Sequence, residues 1–126
     1  PAYVNKARLS PEESISVIRN AGGVAVLAHP LQLKLGRDGE LESQVKRLTG
    51  LGLQGMECFY RNHSPEDTAS LLALAKKLGL VATGGSDFHG ANRPHIRLGV
   101  GEGQLRVPEC SWVDLWRMLG SEEVRK

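Results

Sequence analysis

Ala21-Gly22-Gly23-Val24-Ala25-Val26-Leu27-Ala28-His29-Pro30 decides how this chain is read. Two glycines end whatever precedes them, and a short unbroken apolar run from Val24 to Ala28 follows. A run of that length between turn signals predicts a buried parallel strand, because a strand covered on both faces need not alternate. His29-Pro30 closes it with a reactive side chain. Upstream, Ser10-Pro11-Glu12-Glu13 opens a helix: Ser10 caps, Pro11 takes the first helical position and Glu13 completes a capping box. Ile15, Val17 and Ile18 supply its apolar positions, and it ends near Ala21-Gly22-Gly23.

The same unit recurs downstream. A helix is predicted from about Glu40 to Thr49, with Leu41, Val45 and Leu48 on one face. Gly50 and Gly52 end it, and Gly55 to Tyr60 reads as a second strand. Ser64 caps a further helix with Pro65 at its first position and Leu71, Leu72, Leu74, Ala75 and Leu78 at helical spacing. Leu80 to Thr83 is a third strand, and Leu98 to Val100 a short fourth. Ser111 to Leu119 is the last helix, expected to bury Trp112, Leu115, Trp116 and Leu119. Strands alternating with helices imply a parallel α/β sheet. Three or four strands do not close a βα barrel, which typically takes about 250 residues. The stretch is therefore a small open sheet or an arc of a barrel.

Composition narrows the functional class. The 126 residues are 40% hydrophobic and 24% charged, ordinary for a globular domain. A net charge of +2 argues by itself for neither nucleic acid nor membrane. Cys58 and Cys110 lack CxxC spacing and suggest free thiols. No apolar run approaches the roughly 20 residues of a membrane span, and no secretion leader is visible, so a cytoplasmic protein without membrane partners is expected.

Parallel strands carry their chemistry at the carboxyl edge. Here the first strand ends at His29, the second at Tyr60-Arg61-Asn62-His63, and the third at Asp87-Phe88-His89. Three imidazoles, a carboxylate and an arginine share one rim. Asp87 and His89, two apart in an extended segment, would point the same way and could meet a divalent ion; imidazole with carboxylate suits zinc, manganese or iron. A plain capped loop reads the same spacing equally well. His29 is a carbonyl-satisfied strand end or a ligand. Arg61 and His63, beside a helix N-terminus, suit a phosphate or form a solvated loop. Glu57 inside a strand needs a partner or a metal if buried. Lys34, Arg37, Arg61, Arg93 and Arg97 in strand-end loops favour an anionic substrate.

Taken together these segments resemble the polymerase-and-histidinol-phosphatase (PHP) family of metal-dependent phosphoesterases. The first segment resembles its "AGG…AHP" stretch. Gly84-Gly85-Ser86-Asp87-Phe88-His89-Gly90 resembles its "GSDFHG" stretch. Gly55-Met56-Glu57-Cys58-Phe59-Tyr60 with His63-Ser64-Pro65-Glu66 resembles "GLEVYY…HSPE". Ala2-Tyr3-Val4 also fits the small-phosphoesterase branch. The resemblance implies the C-terminal arc of a distorted seven-stranded βα barrel that holds up to three divalent ions (manganese, iron or zinc). It implies His29, Asp87 and His89 as metal ligands, and Arg61 and His63 facing the substrate phosphate. It implies hydrolysis of phosphomonoesters, with nucleotides or oligonucleotide ends as substrates.

The family's first motif, an HxH followed by "SDG", is absent from residues 1–126, as are its next histidine motif and bridging glutamate. The chain is thus expected to be a C-terminal portion that is inactive alone and open to self-association at a sheet edge. Other readings are a non-catalytic metal- or phosphate-binding module, or a piece completing a barrel with another chain.

Overall fold

The computed structural model describes residues 8–35 and 39–120. Ala2-Tyr3-Val4 and Arg37 lie outside them. In chain order the elements are α1 (Pro11–Asn20), β1 (Val26–Leu27), α2 (Glu40–Gly50), β2 (Gly55–Tyr60), α3 (Pro65–Leu78), β3 (Val81–Gly85) and α4 (Glu109–Met118). Short 3-10 turns follow the first and third strands, at Pro30–Leu33 and Gly90–Asn92. The three strands form one parallel sheet in the order β1-β2-β3. The expected parallel α/β class holds.

Local chemistry sets the helix starts. In α1 the Glu13 amide donates to Ser10 Oγ at 3.1 Å, and the Ser10 amide donates back to Glu13 Oε2 at 2.7 Å. In α3 Ser64 and Asp67 make the same reciprocal pair, both bonds 3.0 Å long. Each box satisfies two amides that a helix start otherwise leaves open, typically worth about 1 kcal/mol. Gly79 closes α3 at φ +67°, where a side chain would be strained.

The core lies between the helices and one face of the sheet. Ile15 of α1, Val45 of α2, Met56 and Cys58 of β2, and Leu71 and Ala75 of α3 meet there. This contact set fixes β2 in the middle and leaves the carboxyl ends of the strands free to carry polar groups.

Three expectations need correction. The strand predicted from Val24 to Ala28 pairs only at Val26–Leu27. Leu98 to Val100 is not a fourth strand. Gly99 and Gly101 adopt φ of +78° and +59°, and the chain doubles back so that Arg97 pairs with Gly101 in an antiparallel bridge. Leu98 at the tip is 75% exposed. Finally, α4 starts at Glu109 and turns Ser111, not Trp112, into the packed face; Trp112 is 54% and Leu119 45% exposed. A small buried Ser111 lets α4 approach β3 closely, while Trp112 stacks on Trp116 with centroids 5.1 Å apart. No described helix is long and apolar enough to cross a membrane.

Candidate active site

β2 carries an irregularity that arranges the rim. Gly55, Met56 and Glu57 pair with Val81, Ala82 and Thr83; the register then shifts, and Phe59 and Tyr60 pair with Gly84 and Gly85. Cys58 is the extra residue of a bulge. Strict alternation would put Glu57 and Phe59 on one face and Tyr60 on the other. The bulge resets the alternation, as bulges do when they re-aim a side chain. Phe59 packs against the core. Glu57 and Tyr60, three apart, both reach His29, and Tyr60 also reaches Asp87.

The contacts are specific. Glu57 Oε2 accepts the backbone N–H of His29 at 2.6 Å. The Tyr60 hydroxyl donates to Asp87 Oδ2 at 3.1 Å and accepts from Gln32 Nε2 at 3.0 Å. The Tyr60 ring lies between two imidazoles, 5.9 Å from His29 and 5.3 Å from His63. His63 Nδ1 is 3.0 Å from the Cys58 carbonyl, inside the bulge. The ends of all three strands are thereby tied together across Tyr60.

Backbone strain marks the same place. His29 has φ +32° and Asp87 φ +56°; among the described residues only Lys34 joins them as a non-glycine at positive φ. His29 also precedes a proline, which ordinarily drives a residue to extended angles. Such conformations persist only where surrounding contacts impose them, and they gather at functional sites. The Glu57 bond to the His29 amide is one such contact.

Left-handed Asp87 overturns the expectation that Asp87 and His89 project in parallel from an extended segment. His89 Nδ1 instead lies 2.8 Å from the Asp87 carbonyl and 3.4 Å from Asp87 Oδ1, and the His89 side chain is 53% exposed. Asp87 also takes an ion pair from Arg93. Burial pushes its carboxyl up, but the Tyr60 hydroxyl and the charges of Arg93 and His89 prevail and hold it below the ordinary range. Glu57 moves the other way. Its burial raises the carboxyl, and the His29 amide and the nearby His29 and His63 offset this only in part.

Tyr60, Gln32 and the pairing role of Arg93 were not singled out from sequence as parts of the site. The available signal was Glu57 and Tyr60 in one six-residue strand, two polar groups at a spacing that needs a bulge to share a face. Arg61 is spread among partners. Its NH1 reaches Glu102 at 3.4 Å, its guanidinium lies 5.7 Å from the Tyr60 ring centroid, and its Nε is buried without a hydrogen-bond partner among the described residues.

The donor chemistry at this rim, imidazoles and carboxylates, fits a borderline divalent ion in kind. It falls short in number: among the described residues no three His, Cys, Asp or Glu side chains come together as a metal-binding group. Asp87 spends its oxygens on Tyr60, Arg93 and His89.

Comparison with known proteins places the chain. No family model matches it. It is 33% identical over 125 residues to the 3′,5′-nucleoside bisphosphate phosphatase of Chromobacterium violaceum, covering 99% of this chain and 42% of that protein. It is 39% identical over 88 residues to a phosphoribosyl 1,2-cyclic phosphate 1,2-diphosphodiesterase of Eggerthella lenta, covering 67% of this chain and 30% of that protein. The 5′-3′ exoribonuclease Rnm of Escherichia coli is 32% identical over 121 residues, 93% of this chain and 33% of its own. A Bifidobacterium adolescentis structure, described as a candidate metal-dependent phosphoesterase, superposes with a TM-score of 0.69 at 30% identity, over 92% of this chain and 39% of its own. An amidohydrolase structure from C. violaceum with bound sulfate and no metal gives 0.69 at 31%, again 92% and 39%. The chain belongs to the PHP family.

The matched stretch is the C-terminal part of these PHP proteins, and this chain spans less than half their length. Of its two thiols, Cys58 sits in the bulge, buried. Burial, then the neighbouring Glu57 charge, push its pKa up to about 11. A thiol so raised is not a nucleophile at neutral pH. Cys110 is exposed. A chromogenic disulfide reagent should therefore titrate Cys110 in the native protein and Cys58 only after denaturation. Rapid native reaction of both would show that β2 does not bury Cys58.

Proposed function

We propose that this chain serves a metal-dependent phosphoesterase that hydrolyses phosphomonoesters, with nucleotides or oligonucleotide ends as substrates. The observation that carries the reading is the convergence of His29, Glu57, Tyr60, His63 and Asp87 on one rim. Two of these five adopt strained backbone there. His29, Asp87 and His89 would contribute donors to the divalent ions, manganese, iron or zinc, with further ligands from outside the described residues. When bound, the ions would supply Lewis acidity toward the phosphoryl oxygens and an activated water. In this chain Tyr60 orients Asp87, Glu57 holds the His29 backbone, and Arg93 pairs with Asp87.

The three-stranded sheet would be the C-terminal arc of the family's seven-stranded barrel. Strands from elsewhere, in the same polypeptide or a second copy, would pair with its edges. A cytoplasmic location goes with this substrate class.

Arg61 and His63 would receive the substrate phosphate at the start of α3, whose dipole favours an anion. Arg61 has hydrogen-bonding capacity to spare, since its pairing with Glu102 is long and its buried Nε has no partner among the described residues. In the full-length protein Arg61→Ala should raise KM for a phosphomonoester about tenfold or more, the worth of a charged hydrogen bond. Bound metal should not change. Unaltered kinetics would assign Arg61 to the Glu102 pair alone and remove it from the substrate site. A second reading, a non-catalytic anion-binding module, draws on the Arg93 ion pair that occupies Asp87. It requires that no phosphomonoester be turned over with any of the three metals.

A further inference from the structure

The β2 bulge fixes more than Tyr60. It leaves Cys58 without a partner in β3, and the Cys58 carbonyl lies 3.0 Å from His63 Nδ1. A carbonyl oxygen only accepts, so Nδ1 carries the ring hydrogen and donates it. The His63 amide donates to the Tyr60 carbonyl at 3.0 Å, and the Tyr60 ring packs against the imidazole with centroids 5.3 Å apart. Backbone, Nδ1 and ring are thus all held. Nε2 is the remaining polar atom, and among the described residues it has no hydrogen-bond partner. His63 lines a cavity of about 510 Å³ on the outer side of the rim, together with Arg61 and Arg106.

An imidazole held this way can be a metal donor, a plain hydrogen-bond partner or a proton carrier. The first role is disfavoured. His63 belongs to no three-donor group among the described residues, and the cations Arg61 and Arg106 at the same cavity oppose a divalent ion. The carboxylates that act on it, Glu57 and Asp67, are engaged elsewhere: Glu57 accepts the His29 amide and Asp67 the Ser64 amide. The two arginines draw an ester phosphate instead. We propose that His63 is the general acid of the reaction, its protonated Nε2 delivering a proton to the leaving oxygen of a phosphomonoester. The proposal rests on the phosphate reading of Arg61 and His63. As the oxygen of water bonds to phosphorus, the bond from phosphorus to the ester oxygen breaks and its electron pair stays on that oxygen. Nε2 gives the oxygen its proton, the alcohol leaves, and the proton lost by the water restores the imidazolium through solvent. The Nδ1 bond to Cys58 serves both protonation states, so the ring does not move during the exchange.

The test is the dependence of rate on the leaving group, in the full-length protein supplied with manganese. The esters are p-nitrophenyl phosphate, phenyl phosphate and adenosine 5′-monophosphate. A nitrophenolate departs readily without a proton, a phenolate less so, and an alkoxide hardly at all. His63→Asn keeps an amide N–H where Nδ1 donates to Cys58 and removes Nε2. It should lower kcat for adenosine 5′-monophosphate about 100-fold, the usual worth of a general acid, and leave p-nitrophenyl phosphate within about threefold of wild type. Phenyl phosphate should fall between them, and KM should change little for any of the three. His63→Gln, which puts an N–H donor where Nε2 stands but transfers no proton, is the second variant should the first fail to fold; it should show the same graded loss. Equal losses on all three esters, or a raised KM with kcat kept, overturn the proposal and leave His63 as a phosphate contact or a brace for the bulge. A wild type that turns over none of the three overturns the phosphoesterase reading itself, and the general acid with it.

Discussion

Asp87→Asn should lower kcat/KM for a phosphomonoester about 100-fold or more in the full-length protein, and with it the content of bound metal. The substitution is nearly isosteric. Asparagine still accepts from the Tyr60 hydroxyl, so the link Gln32–Tyr60–Asp87 keeps its geometry. What disappears is the negative charge. Arg93 and His89 then face an uncharged amide, and a divalent ion held as proposed would lose an anionic donor at the strand end. A structural loss would be small, because the ion pair with Arg93 is partly exposed and such pairs contribute little. Activity and metal content should therefore fall while the thermal midpoint moves little. Manganese, iron and zinc measured against protein, alongside the kinetics, decide it. Full activity and unchanged metal would remove Asp87 from the site; loss of folding alone would make it a loop brace. Tyr60→Phe is the graded companion. It keeps the ring between His29 and His63 and deletes the hydroxyl's two bonds, the one that orients the carboxylate and the one accepted from Gln32, so its loss should be about tenfold.

The sequence made much of this rim legible because strand ends in a parallel sheet are set by topology. Once β1, β2 and β3 were read as successive parallel strands, His29, His63 and Asp87 had to share an edge, and they do. β2 was bounded at Gly55–Tyr60 from its flanking glycines and the Ser64-Pro65 helix start. The residues that escaped reading are those whose place depends on two strands at once. The bulge at Cys58 is a property of the register between β2 and β3, and nothing local to Met56-Glu57-Cys58 encodes it. Without it Tyr60 reads as a core aromatic on the wrong face. The geometry of Asp87 and His89 failed for a related reason: spacing of two implies a shared direction only in extended chain, and Asp87 is left-handed. Leu98 to Val100 looked like a strand because three apolar-compatible residues satisfy the pattern, while the glycines at 99 and 101 dictate a turn. Trp112 shows the limit of helical periodicity. Of the predicted face Leu115 and Trp116 stay half-buried, while Trp112 and Leu119 are exposed and Ser111 takes the contact that a large aromatic was expected to make.

Gly84→Ala should be among the most damaging single substitutions, because the bulge leaves no room beside it. A Cβ at residue 84 would lie 2.6 Å from both Phe59 Cβ and the Phe59 carbonyl oxygen, and 2.8 Å from Val107 Cγ2. Two of those atoms are fixed by the backbone, so a side-chain rotation cannot relieve the clash. The register that pairs Phe59 with Gly84 must open, and with it the alternation that points Tyr60 at Asp87. The cost should be about 3 kcal/mol or more, the upper range for overpacking, because backbone rather than side chain has to move. Gly85→Ala is the control. Its added Cβ would meet only Glu57 Oε1, at 3.2 Å, a movable carboxylate oxygen. That variant should lose about 1 kcal/mol at most while shifting Glu57 away from the His29 amide. Urea unfolding midpoints of the two variants rank the effects. If Gly84→Ala proves as stable as Gly85→Ala, then β2 and β3 do not meet in the shifted register, and the arrangement that brings Glu57, Tyr60 and Asp87 together has to be rebuilt. If it is far less stable, the glycine pair is there for two separate reasons: Gly84 makes space for the bulge, and Gly85 makes space for the carboxylate that the bulge exposes.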